Sequence, residues 1–207
     1  MRGSSRRHIL RRVNRVLDLL VAGLAFAVAS PLLAICALAI KLDSRGPVLY
    51  RQRRVGRDGV EFDLVKLRTM VVGAENSGAG LYIEHRDARI TRVGRLLRRF
   101  SLDELPNLLN VLRGELAIVG PLPTVQVQVD RYTPRQRRRL EVKPGITGWA
   151  QVNGRTSLSW PERIELDVWY VDNRSLALDL RILARTARML ITGHGLYSSD
   201  VTQGWEE

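Results

Sequence analysis

The chain has 207 residues, a formal net charge of +12 and a single cysteine. That length accommodates one domain of ordinary size plus a membrane element and leaves little room for a second full domain. The lone Cys36 excludes an intrachain disulfide framework and reads as packing, and His8, His85 and His194, lacking metal-ligand spacing, argue against a zinc site. The charge predicts attraction to polyanions, whether nucleic acid, an anionic lipid surface or phosphorylated small molecules, without choosing among them.

Residues 1–17 carry six arginines and no acid, and Leu19 to Ile40 forms an uncharged run. As a helix that run is about 33 Å long at 1.5 Å per residue, enough to span a bilayer. A signal peptide competes for the same pattern, but the run is long for one. Pro31 removes a backbone donor in mid-run, so a sharp kink is expected at Ser30-Pro31, where the Ser30 hydroxyl can satisfy a freed carbonyl. Lys41, Arg45, Arg51, Arg53, Arg54 and Arg57 follow, so both flanks read as cytoplasmic. A helix that enters, breaks at Ser30-Pro31 and returns satisfies both flanks; a simple kinked span is the alternative.

The alternation from Val48 to Val55, the Asp58-Gly59 turn pair and the spacing of Val60, Phe62 and Leu64 predict a β-hairpin. Lys66 and Arg68 continue the Leu64 face, which suggests a bulge or a buried anion site, or else a solvated strand end. Asn76 to Gly80 reads as a loop, and Thr91 to Phe100 as a basic helix with apolar Val93, Leu96 and Leu97. Leu105, Leu108, Leu109 and Leu112 share a helical face that Gly114 is placed to end. Pro134 to Lys143 holds Arg135, Arg137, Arg138, Arg139 and Lys143 against one acid, the pattern of an interfacial segment facing anionic headgroups or of a solvated helix face. After the Lys143-Pro144-Gly145 turn, Ile164 to Tyr170 and Leu176 to Ile191 have helical periodicity.

The chemistry concentrates in Ser101-Leu102-Asp103-Glu104-Leu105-Pro106. One reading is a capping box between Ser101 and Glu104; Pro106 disturbs that register, and the other register starts the helix at Pro106. In both, two carboxylates sit at a helix N-terminus, where partial positive charge eases the approach of an anionic nucleophile to an anionic substrate. Arg95, Arg98 and Arg99 stand just upstream. Such a pair suits a magnesium-bound diphosphate, one carboxylate ligating the cation while the other attacks phosphorus. Walker A, Gly-x-Gly-x-x-Gly and Gly-x-Ser-x-Gly patterns do not occur, so the usual NTPase, dinucleotide and serine-hydrolase routes are closed.

Several strings carry more than spacing. Lys66-Leu67-Arg68-Thr69-Met70, Thr91-Arg92-Val93-Gly94-Arg95, Ser101 to Pro106, Asn110-Val111-Leu112, Val119-Gly120-Pro121, the run from Lys143 to Arg155 and Asp167-Val168-Trp169-Tyr170-Val171 stand in an order that resembles the bacterial sugar transferase family, the small monotopic phosphoglycosyl transferases. The resemblance implies a helix-rich mixed α/β fold with a re-entrant helix broken at Ser30-Pro31, interfacial amphipathic helices and a small β-hairpin. It divides the chain into a membrane-inserted segment, residues 1–45, and a cytoplasmic catalytic domain, residues 46–207.

The implied reaction converts a UDP-sugar and polyprenyl phosphate, such as undecaprenyl phosphate, into polyprenyl diphosphate sugar and UMP. It would open a surface glycan pathway, whether exopolysaccharide, capsule, O-antigen or glycoprotein, at the cytoplasmic face of the bacterial inner membrane. By carry-over, Asp103 is the nucleophile that forms a phosphosugar-enzyme intermediate, and Glu104 helps hold Mg²⁺, with Asp103 beside it. Lys66, Arg68 and Arg98 fall at basic positions near the substrate, and Arg155 and Asp167 match motif positions. Anionic membrane lipids are expected as partners, and homo-oligomerisation is left open. Nucleic acid is not expected, because the aromatics are few and do not interleave with the basic runs. The departure is Leu122 in Pro121-Leu122-Pro123, where the family usually has an arginine linked to the substrate's phosphate and nucleotide end. The alternatives are substitution by a neighbouring arginine, altered donor recognition, or a catalytically impaired membrane adaptor.

Overall fold

The computed structural model describes residues 2–74, 87–154 and 157–192, with side chains from Asn14 onward except at 190 and 191. The loop expected at Asn76 to Gly80 lies outside them. Helix α1 runs from Arg2 to Asp43, and its segment Asn14–Asp43 is long and apolar enough to cross a membrane. Its apolar side chains divide between two surroundings. Ala22, Cys36 and Ile40 are buried against the rest of the chain, whereas Leu20, Leu24, Val28, Ile35, Leu38 and Leu42 point outward and are mostly exposed. A continuous apolar face that protein leaves uncovered is suited to lipid.

The break expected at Ser30-Pro31 is not an interruption, since α1 continues across Pro31. The proline lacks the N–H that would bond the carbonyl of Ala27, four residues back. Ser30 Oγ donates to that same carbonyl at 2.8 Å, so the orphaned acceptor is satisfied inside the helix.

Strands β1 (Leu49–Val55) and β2 (Glu61–Leu67) form the expected antiparallel hairpin. The chain reverses through a short 3₁₀ turn, where Asp58 and Gly59 take the left-handed conformation that an Asp-Gly pair tolerates. Cross-strand pairing puts Tyr50, Gln52 and Arg54 on one face with Lys66, Leu64 and Phe62.

Helix α2 (Arg92–Arg99) is capped twice. Thr91 Oγ1 accepts from the Gly94 N–H at 2.9 Å, and Asp43 Oδ2, at the end of α1, accepts from the Val93 N–H at 2.9 Å. Gly94 lets α2 dock on the end of β2, because a Cβ there would stand 2.0 Å from the Thr69 carbonyl oxygen. Helix α3 (Asn107–Arg113) stops at Gly114, as its sequence position predicts, with φ at +86°. Its buried face centres on Asn107, Leu108, Asn110 and Val111, rotated from the leucine face read in the sequence, because Asn110 is drawn inward by hydrogen bonds.

A parallel pair, β3 (Ala117–Val119) and β4 (Gly145–Thr147), leads through the short helices α4 (Gln126–Val129), α5 (Pro134–Arg137) and α6 (Trp149–Val152) to α7 (Trp160–Asn173) and α8 (Leu176–Thr192). The basic run around α5 does not present its charge as one open face. Arg135 pairs with Glu165 at 2.9 Å and Arg138 with Asp172 at 2.5 Å, while Arg139 is buried against Asp167, so α7 supplies carboxylates that sequence reading could not place opposite them.

Helix α1 belongs to the core. Ala22 packs with Phe62, Leu64, Leu108, Val111 and Leu116, and Cys36 and Ile40 pack with Leu67 and Leu97. Arg15 donates to the carbonyls of Val111 and Leu112 at the C-terminal end of α3, and Asp18 accepts from the Ile118 N–H. Packing therefore runs across the 45/46 boundary drawn from the sequence.

Candidate active site

Three elements converge beside the C-terminal half of α1: the end of β2, helix α2, and the turn before α3. β2 supplies Lys66, whose ammonium donates to Glu104 Oε1 at 3.0 Å. The face choice of the hairpin sets this contact. Phe62 and Leu64 are pulled into the core, and Lys66, two residues further along the same face, emerges at the core's edge.

The carboxylates sit on one 3₁₀ turn, Leu102–Glu104. The capping box is absent: Ser101 adopts a left-handed φ of +53° and its side chain caps nothing. The second register holds instead, with α3 starting just after Pro106. Ser101 reverses the chain at the end of α2, and Leu102 tucks against the Cys36, Ile40, Leu67 and Leu97 cluster. Anchoring at Leu102 leaves Asp103 and Glu104 at the surface of the cluster, both partly exposed.

The two acids are held differently. Glu104 is tied to Lys66, whereas among the described residues no other side chain hydrogen-bonds the Asp103 carboxylate. Burial raises the pKa of Asp103 above the ordinary aspartate range, the charge of Glu104 raises it further, and Lys66 and Arg98 oppose both. Arg98 is oriented by a hydrogen bond from its Nε to Thr69 Oγ1 at 3.0 Å, so the string Lys66 to Thr69 positions two of the cations around the pair.

Asn110, fully buried, locks α3 onto β2. Its Oδ1 accepts from the Val65 N–H at 3.0 Å, and its Nδ2 donates to the Asp63 carbonyl and to Glu115 Oε2, each at 2.7 Å. It thereby sets the height of the turn against Lys66. Sequence reading placed Asn110 only inside a matching string; an asparagine amid leucines on a helical face was the signal for this clamp.

Not every expected site residue gathers here. Arg68 is buried, and its three nitrogens donate to the carbonyls of Pro47, Arg45 and Ser44 at 2.6, 2.7 and 3.0 Å. These bonds tie the end of β2 to the exit of α1. Asp167 is also buried, in an ion pair with Arg139 at 2.6 Å. Arg139 donates further to Tyr132 Oη at 2.5 Å and to the Leu122 carbonyl at 2.9 Å, so Asp167 acts on the Pro121–Pro123 turn through the arginine. The Leu122 side chain is 41% exposed. Arg155 lies outside the described residues.

No cluster of three His, Cys, Asp or Glu side chains suited to a metal occurs among the described residues. Magnesium commonly takes only one or two carboxylates from a protein and completes its shell with phosphate and water. An adjacent Asp103-Glu104 pair fits such an ion held jointly with a diphosphate.

A family model described as bacterial sugar transferase matches residues 9–193. The chain is 44% identical over 188 residues to an uncharacterized sugar transferase of Bacillus subtilis, covering 91% of this chain and 92% of that protein. It is 44% identical over 192 residues to the UDP-glucose:undecaprenyl-phosphate glucose-1-phosphate transferase of Caulobacter vibrioides, covering 89% and 72%. It is also 40% identical over 189 residues to the UDP-N-acetylgalactosamine-undecaprenyl-phosphate N-acetylgalactosaminephosphotransferase of Aeromonas hydrophila, covering 88% and 44%.

Proposed function

The chain belongs to the bacterial sugar transferase family and is a phosphoglycosyl transferase, and from that premise we propose that it moves a sugar 1-phosphate from a UDP-sugar onto a polyprenyl phosphate, undecaprenyl phosphate in the cell. The observation that carries this reading is the division of labour in the acidic pair, Glu104 engaged by Lys66 and Asp103 left open beside Arg98.

Asp103 attacks the phosphorus that bears the sugar. A carboxylate–phosphorus bond forms, the bond from that phosphorus to the bridging oxygen breaks, and its electron pair leaves on UMP. An oxygen of the lipid phosphate then attacks the same phosphorus, and the Asp103 carboxylate departs with the electrons of the bond it had made. Lys66 and Arg98 offset the negative charge that gathers as these anions meet. Glu104, with Asp103, would hold Mg²⁺, which when bound supplies positive charge at the diphosphate oxygens.

Membrane attachment fits the uncovered apolar face of α1. The basic flanks on both sides favour a re-entrant, monotopic path with the catalytic residues at the cytoplasmic face, and the internal satisfaction of Ala27 by Ser30 lets the proline sit in hydrocarbon. The outer side of α2, with Arg92, Arg95 and Arg99 interleaved with Leu96 and Phe100, suits the headgroup region just before the acidic turn. On this reading the enzyme acts at the first membrane step of a surface glycan pathway.

Incubation of the purified protein with Mg²⁺, polyprenyl phosphate and a panel of labelled UDP-sugars tests the reading. A lipid-linked product with matching UMP release from at least one donor is expected; neither product nor UMP from any donor leaves the membrane adaptor. The pH profile is a second check. Asp103 must be ionised to attack, and its pKa is raised by burial and by Glu104, so kcat/KM for UMP release should climb with pH through a limb above the ordinary aspartate value of about 3.9. Lys66→Met removes a cation that lowers that pKa, so the limb moves to still higher pH whatever happens to the rate. An unmoved limb would separate Asp103 from the rate-determining ionisation.

A further inference from the structure

Arg54 lies on the same strand face as Lys66, paired across the hairpin with Phe62. Its neighbours on that face, Phe62 and Leu64, are covered by Ala22, Leu108, Val111 and Leu116, so a guanidinium has been set against the edge of an apolar core. Buried arginines elsewhere in the molecule are there to hold structure. Arg68 fills all three nitrogens with backbone carbonyls, and Arg139 meets a carboxylate at 2.6 Å. Arg54 does neither. Its Nη2 donates to Gln52 Oε1 at 2.7 Å, which fixes the plane of the group, while its Nε is buried and has no acceptor among the described residues. Nor does any carboxylate of those residues come within ion-pair distance of it.

A buried charged donor without an acceptor is costly to keep unless something else fills it. The field around Arg54 shows where that acceptor belongs. Burial lowers its pKa, and the charges that act back on it are those of Tyr50 and Glu104, the carboxylate that Lys66 holds. Arg54 and Lys66 thus share one hairpin face, Lys66 bonded to Glu104 and Arg54 within reach of its field.

We propose that Arg54 is a substrate-binding residue whose Nε–H donates to a phosphate oxygen of a reactant, the donor diphosphate first, with Gln52 as the side chain that orients it. The proposal rests on the reading of Asp103 and Glu104 as the phosphoryl-transfer site. The shared chemistry is a phosphate oxygen, and the two sources are the nucleotide donor and the lipid acceptor.

A ping-pong reaction separates them, because kcat/KM for each substrate reports its own half-reaction. Arg54→Gln should lower kcat/KM for the UDP-sugar roughly ten- to a hundredfold, the loss of one charge-assisted hydrogen bond. A loss confined to polyprenyl phosphate would assign the same contact to the acceptor. Equilibrium binding supplies the arm that a merely structural role would not move: the variant should lose affinity for UDP and keep its affinity for uridine, which has no phosphate. If Arg54→Gln does not fold, Arg54→Lys keeps a charge without the Nε donor and is read in the same two assays. Parent affinity for UDP together with parent kcat/KM for both substrates overturns the proposal. Failure of the broader reading looks different, since the parent protein itself would then make no lipid-linked product.

Discussion

Asp103→Asn is expected to stop UMP release, by at least about 10³-fold, while the protein unfolds at nearly the parent midpoint. The two halves of that result have separate physical grounds. An amide is nearly isosteric with a carboxylate, but it carries no negative charge and cannot form the bond to phosphorus on which both half-reactions depend. Stability is spared because no other described side chain hydrogen-bonds Asp103, and because burial and Glu104 already disfavour its charge. A change within about 0.5 kcal/mol is the expected size for such a site. Single-turnover release of UMP from labelled UDP-sugar is the measurement, since it reads the first half-reaction without needing the lipid. Release at the parent rate would remove Asp103 from the nucleophile's place. Glu104→Gln is the informative companion: it gives up charge opposite Lys66 yet leaves the attacking group in place, so it should slow the reaction less than Asp103→Asn does.

The largest effect on stability is expected at Asp167→Ala. The pair it forms with Arg139 is almost wholly shielded from water, and the arginine would be left as a buried charge still bonded to Tyr132 and the Leu122 carbonyl. Removing one partner of such a pair costs about 3–5 kcal/mol. Denaturant unfolding in a fixed detergent or bilayer mimetic reads the loss. Replacing both residues, Asp167→Leu with Arg139→Met, should recover a large part of it, because the unpaired charge is then gone. Equal unfolding midpoints for Asp167→Ala and the parent would show that water reaches the pair. The double substitution, by removing the Arg139 donor, also frees the Leu122 carbonyl, so the Pro121–Pro123 turn loses a tether in a protein that still folds.

What could be read without coordinates follows the range of the interactions. The hairpin and the stop at Gly114 are local, set by turn chemistry and period within a few residues, and they stand where expected. The acidic pair was legible too, but its register was not: Ser101 and Pro106 favoured opposite helix starts, and the deciding force was the burial of Leu102 against α1, about sixty residues upstream. Arg68 and Lys66 looked alike on one strand. Only the return of the chain at Ser44 to Pro47 turns the first into a structural tie and leaves the second at the site. The carboxylate partners of the arginines near α5 were hidden for the same reason, since they stand on α7, roughly thirty residues on. Asn110 shows a subtler limit. It is a polar residue at an inward position, a pattern visible in advance, but the backbone groups it serves are brought by another element, β2.

The way α1 is built into the protein changes what anchoring means here. Ala22, Cys36 and Ile40 fill two core clusters, Asp43 caps α2, and Arg15 and Asp18 bind backbone beyond Val111. One side of the helix is thus an uncovered apolar face suited to lipid, while its other side packs against the core that carries the acidic turn. A soluble fragment made by trimming it away would expose Phe62, Leu64 and Leu67 and release the roof over the acidic turn. Whatever covers the outer face of α1 therefore bears on the same helix that completes the core, so anchoring and folding share one element.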